Sequence, residues 1–493
     1  MGIEINKTTF AAPDYAAFGR ALEENLAVLN ELLATPGFGT GPHSLGAELE
    51  IYIVDAQGRP LHVNQEILAA ADDEQLTLEL NRYNLEFNLS PHQVNETPFA
   101  ATEQEIIAKL SAVGQVAARF GGRVVPIGIL PTLRQSDFGA HCITDRQRYH
   151  ALVRQLLERR GEKFRIDIHG VDPLLMEMAD ITLEGANTSF QVHYRVNPAD
   201  YADTFNAIQL MTPLALAIGA NSPTLFGHDL WRETRIPLFK QSIDTRKQDR
   251  YGWKEPARVN FGQGWARRNA QELFAEVVRI YAPLLPIRAQ YSAREQLRKG
   301  ITPSLSELRL HQSTVWLWNR PIYDDVDGGH LRIEMRALPA GPTPIDMVAN
   351  AAFLIGLAEG VRPRIDQLLP AIPFNIAEYN FYRAAQHGLD AQLIWPEFGQ
   401  SKYREQPICT VIENLLPTAR EGLHAIGIAA DEAQRYMWVI EERLRRRQTG
   451  ASWQRAKLAA LKQDMPLDAA LHQLLEEFMG YSAQNLPVAE WPL

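Results

Sequence analysis

The spacing of hydrophobic and polar positions changes several times along the chain, and each change marks an element. In residues 13–35 (DYAAFGRALEENLAVLNELLA) apolar side chains return every three or four positions, the rhythm of an amphipathic helix, until the Gly/Pro stretch TPGFGTGP stops it. At Ser44 the period falls to two. SLGAELEIYIVDAQGRPL reads as a strand, a turn and the start of a second strand, with Leu49, Ile51 and Ile53 on one face and Glu48 and Glu50 on the other. LTLELNRYNLEFNLSP repeats the theme: Glu86 and Asn88 share a face, with Leu85, Phe87 and Leu89 opposite. Glu79, seven residues before Glu86, is expected to start the same element. Helices are expected at 100–119 and 145–160, followed by the strands KFRIDIHG and NTSFQVHYRV, and GGRVVPIGILP contains a short buried strand. A helix over 198–218 ends at GANSP, and Arg- and Trp-rich loops fill about 228–268. The last strong strand, GGHLRIEMRALP, is entered through the acidic turn YDDVDGG and followed by a helix over 345–368.

Strands and helices follow one another without regular βαβ alternation, which predicts an α+β fold around a mostly antiparallel sheet. Beyond about residue 396 the pattern becomes helical and charged, as in DEAQRYMWVIEERLRRRQTG. The expected organisation is therefore one large domain over 1–395, with a helical C-terminal extension over 396–493 packed on it. No internal repeat or low-complexity segment interrupts this.

Composition narrows the classes. Apolar residues make up 46% of the chain and charged residues 22%, which supplies ample core material. The net charge of −10 argues against a nucleic-acid partner, which needs a basic field. Two cysteines, Cys142 and Cys409, provide neither a disulfide framework nor a metal-binding pattern. The opening MGIEINKTTF has no basic or apolar leader region, and the most apolar run, DMVANAAFLIGLAEGV, falls short of the ~20 residues a bilayer requires. A cytoplasmic protein with no membrane partner is expected.

Common nucleotide and hydrolase signatures are missing: there is no G-x-x-x-x-G-K-[ST], H-E-x-x-H or G-x-S-x-G. GFGTGP follows a helix and closes with proline, so it reads as a plain loop. The acids of YDDVDGG do not alternate as a calcium loop requires, and a tight hairpin turn is the better reading.

The candidate chemistry lies on the strands. Glu48 and Glu50, Glu86 and Asn88, Gln191, His193 and Arg195, and Arg332, Glu334 and Arg336 each place polar groups along one face. Any one such strand is most simply the solvent face of a half-covered sheet. Together they are short of lysine and segregate into carboxylates, one histidine and paired arginines. If the faces converge, carboxylates so close raise one another's pKa unless a cation sits among them. Hard divalent ions take oxygen ligands and commonly meet substrate phosphates, which guanidinium groups complement bidentately. Phosphoryl transfer is the chemistry such a face suggests.

At these residues the sequence resembles the glutamate–cysteine ligase family, the carboxylate–amine ligases related to the catalytic domain of glutamine synthetase. GAELE, LELNRYNLEFNLSP, FQVHYRV, GANSP, LRIEMRALP and NFYRAAQHGLDA run in the family's order over roughly residues 44–392. The resemblance implies a curved antiparallel sheet forming a funnel, with ATP at one end and the acyl substrate at the other. It implies metal ligands at Glu48, Glu50, Glu79, Glu86, His193 and Glu334, holding two or three Mg²⁺ ions for which Mn²⁺ can substitute. Arg336 would stabilise the transferring phosphoryl group beside Glu334, and Arg332, Gln191 and Asn187 would hold the nucleotide. Asn221 and Ser222 of the GANSP loop, with Arg235, would hold the amino-acid substrate.

The implied reaction joins the γ-carboxylate of glutamate to an amine, with cysteine the leading candidate, through an acyl phosphate. That would place the enzyme in glutathione biosynthesis, and a homo-oligomer is compatible with it. Two features distinguish this chain from compact relatives: the helical tail, and the arginines Arg232, Arg235, Arg246, Arg250 and Arg258. They leave a different amine or acid substrate as the alternative. A non-catalytic ATP-binding relative is the other, although every matched metal position still carries Glu or His. Surface or capping roles are expected for His43, His141 and His169.

Overall fold

The period-two segments pair with one another into one open antiparallel sheet. The computed structural model describes residues 7–95, 97–247, 255–396 and 403–493, so Arg250 and the first six residues lie outside the described part. The strands are β1 (Ser44–Val54), β2 (Leu76–Leu78), β3 (Asn84–Asn88), β4 (His92–Gln93), β5 (Arg123–Val125), β6 (Phe190–Arg195), β7 (Asn319–Asp324) and β8 (His330–Met335). Their order is β7-β8-β6-β1-β3-β2, and β4 and β5 also pair with β1. Pro321, which has no N–H to give a ladder, falls in β7 at the edge of this order.

The alternation in β1 has a direct structural cause. Leu45, Ala47, Leu49, Ile51 and Ile53 all enter the main core, together with the helices α1 (Ala12–Ala34), α2 (Pro98–Ala118), α3 (Gln147–Arg160), α4 (Tyr201–Gly219) and α5 (Pro344–Val361). Tyr52 and Val54, at the far end of the strand, join a second core.

Helix α5 starts where Pro344 follows Thr343, whose side chain accepts a hydrogen bond from the Asp346 N–H at 3.1 Å. The apolar stretch Pro344–Ala371 is long enough to span a membrane, but 94% of its most apolar window is buried inside the protein. One flank packs on α6 (Ile408–Ala425). A Cβ added at Gly422 would lie 2.0 Å from the Gly356 carbonyl oxygen, so only glycines allow the two backbones this close. The other flank meets α7 (Ala430–Arg446), whose buried Arg443 pairs with the buried Asp346 at 2.8 Å and also donates to Asn350 Oδ1. The last two helices, α8 (Gly450–Leu461) and α9 (Leu467–Ala483), supply Trp453, Leu471, Leu474 and Phe478 to the second core.

Three expectations need correction. Glu79 does not begin the element that carries Glu86: it follows β2, and the chain turns over residues 80–83 before β3. The expected loop region 228–268 holds a helix, Arg235–Ser242, and a short strand, Val259–Asn260, paired in parallel with Trp316–Leu317. The strand expected within KFRIDIHG forms as Phe164–Ile168, in a hairpin with Leu174–Met178 apart from the central sheet. The helix expected over 345–368 breaks at Val361 into a 3-10 turn, Arg362–Arg364, and a second helix, Ile365–Ala371.

Candidate active site

Strand register gathers the polar positions. Across β1–β3, Glu48 faces Asn88 and Glu50 faces Glu86. Across β1–β6, Glu48 faces Gln191 and Gly46 faces His193. Glu334 of β8 faces His193 on one side and Arg320 of β7 on the other. Five strands thus place their even- or odd-numbered polar residues on one shared face, opposite the core.

At the centre stand Glu48, His193 and Glu334. One ligand-capable atom from each lies within 4.8 Å of the others. His193 Nε2 is 3.2 Å from Glu48 Oε1 and 3.7 Å from Glu334 Oε1. Yet neither His193 ring nitrogen has a hydrogen-bond partner, although both are buried. Its Nε2 faces the two carboxylates at ion-pair distance and its buried Nδ1 has no partner, which leaves the ring able to serve a ligand held among them. Two carboxylates and an imidazole held this way fit a divalent cation.

Beside this triad, Glu50, Glu79, Glu86, Glu184, Arg148 and Arg336 line a cavity of about 390 Å³. Burial pushes the Glu50 carboxyl up to about 7, with the charge of Glu79 adding to the effect. Glu184 rises to about 8 through burial, Glu79 and Glu50. Glu79 is also raised, by burial foremost, and Glu86 is raised further by burial and by its three acidic neighbours Glu48, Glu79 and Glu50. The wall carries more negative charge than its surroundings neutralise, and a cation would relieve it.

The triad side is balanced differently. Burial would raise both carboxyls there, but the His193 charge holds Glu48 down at about 2, and Arg320 and Arg336 hold Glu334 well below the usual carboxylate range. Arg320 binds Glu334 through Nε and Nη2, the latter at 2.9 Å, and Arg336 Nη1 approaches Glu334 at 3.0 Å. Gln191 joins the two halves: its Nε2 donates to Glu50 at 2.9 Å, and its Oε1 accepts from Arg336. Ser189 N–H holds the other Glu50 oxygen at 2.7 Å. A second cavity of about 120 Å³, lined by Glu48, His193, Arg320, Arg332 and Glu334, lies past Arg320. Arg332 pairs there with Asp324 at 2.8 Å and leaves its buried Nε without a partner.

Glu48, Glu50, Glu79, Glu86, Gln191, His193, Arg332, Glu334 and Arg336 therefore meet around two adjoining cavities. Asn187 does not line either; its Nδ2 donates to the Glu184 carbonyl, leaving its buried Oδ1 unpartnered. Asn221 and Ser222 are fully buried behind the site, hydrogen-bonded to Glu233. Arg235 is also buried, donates to Glu233 and to the Ala337 carbonyl, and is near enough to act on the Glu50 carboxylate. His43 stacks on Tyr194 and binds the Arg195 carbonyl, His141 lies exposed against His62, and His169 pairs with Asp167 at the surface. Both cysteines are buried free thiols.

Arg320 and Glu184 were missing from the residues expected in the sequence. Arg320 sits in a strand whose sequence signal Pro321 interrupts, and Glu184 in the 3-10 turn Thr182–Ala186, where no period-two or helical signal operates.

Comparison with known proteins gives a consistent result. Residues 44–472 match the profile of the family described as glutamate-cysteine ligase family 2 (GCS2). A Frankia alni protein named "Putative glutamate--cysteine ligase 2-1" is 26% identical over 450 residues, covering 88% of this chain and 94% of that one. A Rubrobacter xylanophilus protein named "Putative glutamate--cysteine ligase 2-3" is 24% identical over 434 residues, covering 86% and 94%. Among solved structures, a glutamate–cysteine ligase from Francisella tularensis in complex with AMP superposes with a TM-score of 0.54 at 11% identity. It covers 92% of this chain and 96% of its own, a likeness of fold.

Proposed function

This chain belongs to glutamate–cysteine ligase family 2 and is an ATP-dependent carboxylate–amine ligase; from that premise we propose that it joins the γ-carboxylate of glutamate to an amine, cysteine first among the candidates. The observation that carries this reading is the meeting of Glu48, His193 and Glu334 with Arg336 on one sheet face. The ligands Glu48, Glu50, Glu79, Glu86, His193 and Glu334 would hold Mg²⁺ ions, which when bound offset the repulsion between a carboxylate and the triphosphate.

In the first step a glutamate carboxylate oxygen bonds to the γ-phosphorus of ATP, the bridging P–O bond breaks, and ADP leaves with an acyl phosphate formed. In the second the amine nitrogen bonds to the acyl carbon, the C–O bond to phosphate breaks, and the amine gives up a proton. The protein's part is mainly to position charge. Gln191 fixes Glu50 and Arg336 relative to one another through the two ends of one amide. Arg336, restrained by Glu334 and Gln191, presents its remaining guanidinium surface to the phosphoryl group in transfer. Arg332 and Gln191 hold the nucleotide, Asn187 is left out because it lines neither cavity, and Arg235 works on the amino-acid side. The enzyme works in the cytoplasm on small molecules.

The test is phosphate release from ATP with glutamate and a panel of amines. Release stimulated by one amine, with the matching amide found by mass spectrometry, supports the reading and names the amine. Release with no amine, or none at all, favours another substrate pair or a non-catalytic ATP-binding protein.

A further inference from the structure

A chain of buried hydrogen bonds runs from the C-terminal helices to the back of the site. Gln454 of α8 is completely buried, and its Nε2 donates to Asn221 Oδ1 at 2.8 Å and to the Asn221 carbonyl at 3.2 Å. Asn221 passes the contact on in two directions. Its Nδ2 donates to the Ala340 carbonyl at 2.8 Å, and its N–H donates to Glu233 Oε2 at 2.8 Å. The other Glu233 oxygen takes the Ser222 hydroxyl and Arg235 Nη1, and the same Nη1 donates to the Ala337 carbonyl at 3.1 Å. Ala337 follows directly on Arg336, and Ala340 lies four residues after it. Every side chain in the relay is at least nine-tenths buried.

The start of α8 is pressed against the same residue. A Cβ added at Gly450 would lie 2.1 Å from Asn221 Oδ1, and the Ala451 N–H donates to the Ala220 carbonyl at 2.8 Å. The loop therefore cannot shift without α8, nor can α8 shift without the loop. A buried amide pair is costly to break.

We propose that Gln454 is a positioning residue for the ligase reaction: through Asn221 and Glu233 it sets where Arg235 and the segment after Arg336 stand. Helix α8 is in this account part of the site's support and more than a cover for the second core. The inference rests on the ligase reading for its kinetic half only, because the mechanical half can be read without turnover.

The experiment compares wild type with Gln454→Met, which keeps the volume and removes the donor. Hydrogen exchange read by mass spectrometry should quicken over residues 220–235 and 336–342, with α5 unchanged. Kinetically, losing the buried donor that Asn221 Oδ1 and its carbonyl share should raise the KM for glutamate about threefold to tenfold while the KM for ATP stays within about twofold. Gly450→Ala should act in the same direction. Unchanged exchange at 220–235 would overturn the proposal, and so would quickened exchange with both KM values unmoved, since the helix would then be scaffold alone. An equal fall in every parameter with a general rise in exchange would also overturn it. If the wild type releases no phosphate with any amine, the ligase reading has failed, and the exchange pattern alone decides whether Gln454 holds this loop.

Discussion

Glu50 and Glu86 stand directly opposite one another across the β1–β3 pair, two carboxylates where a sheet ordinarily places complementary or neutral partners. Both are pushed upward by burial and by neighbouring acids. An arrangement that costs stability in the bare protein is understandable if a cation completes it.

Glu86→Gln tests this directly. Its amide can still accept from Asn88 Nδ2, which lies 3.2 Å from Glu86 Oε1, so the main change is the lost charge. In chelator the variant should melt higher by about 1 °C, since relief of a like-charge pair is worth up to about 1 kcal/mol in a chain this long. With Mg²⁺ the order should reverse and ATP turnover should collapse. A variant that melts lower than wild type in chelator would mean the carboxylates do not repel.

The same wall sets a pH dependence. Glu50 at about 7 and Glu184 at about 8 stand above the ordinary value of 4.5. Between those limits the folded state holds more protons than the unfolded one, so its stability falls as pH rises. Metal-free protein should therefore lose thermal stability from about pH 4.5 to 8, and Mg²⁺ should flatten that slope. Differential scanning calorimetry in chelator and in Mg²⁺ reads both curves; a rise through this window without metal would contradict the assignment.

Arg336→Lys keeps a positive charge but removes the guanidinium Nη1 that bonds both Glu334 and Gln191, and with it the planar group open to the phosphoryl oxygens. Steady-state kinetics should show kcat down on the order of 10²-fold with the KM for ATP little changed, as expected for an interaction realised in the transition state. Equal losses in kcat and in ATP affinity would make Arg336 a binding residue.

Arg320→Met removes one of the two guanidinium partners of Glu334. The buried carboxylate is left partly uncompensated, a cost of about 1–3 kcal/mol without metal. A bound cation should restore part of that, so the gap between melting points in Mg²⁺ and in chelator should widen. An unchanged gap would place the ion away from Glu334.

Most of this face was legible because strands announce themselves through alternation. The period of two in 44–54, 84–88, 190–195 and 330–335 identified which residues share a side, and antiparallel register did the rest. What stayed hidden lies where periodicity gives out. Pro321 interrupts the strand signal around Arg320. Glu184 reaches the cavity from a 3-10 turn whose position depends on contacts distant in sequence. Glu79 and Glu86 looked like one element because residues 80–83 carry no glycine or proline to punctuate the turn. The resemblance suggested Asn221 and Ser222 as substrate contacts, but Glu233, twelve residues beyond Asn221, turns both inward, a pairing no local pattern encodes.

The glycine contact between α5 and α6 has a consequence for how the chain is made. Helix α5 is the most apolar long helix here, yet the surfaces that cover its two flanks come from residues 408–446, which leave the ribosome later. Until they arrive, Asp346 lacks Arg443 and the Gly356 face lacks Gly422. A translation product interrupted in this interval has that helix covered only by the earlier helices Tyr201–Gly219 and Pro98–Ala118, leaving the rest of its apolar surface exposed to chaperones and proteases. The packing of this one helix is thus completed only when residues 408–446 fold onto it.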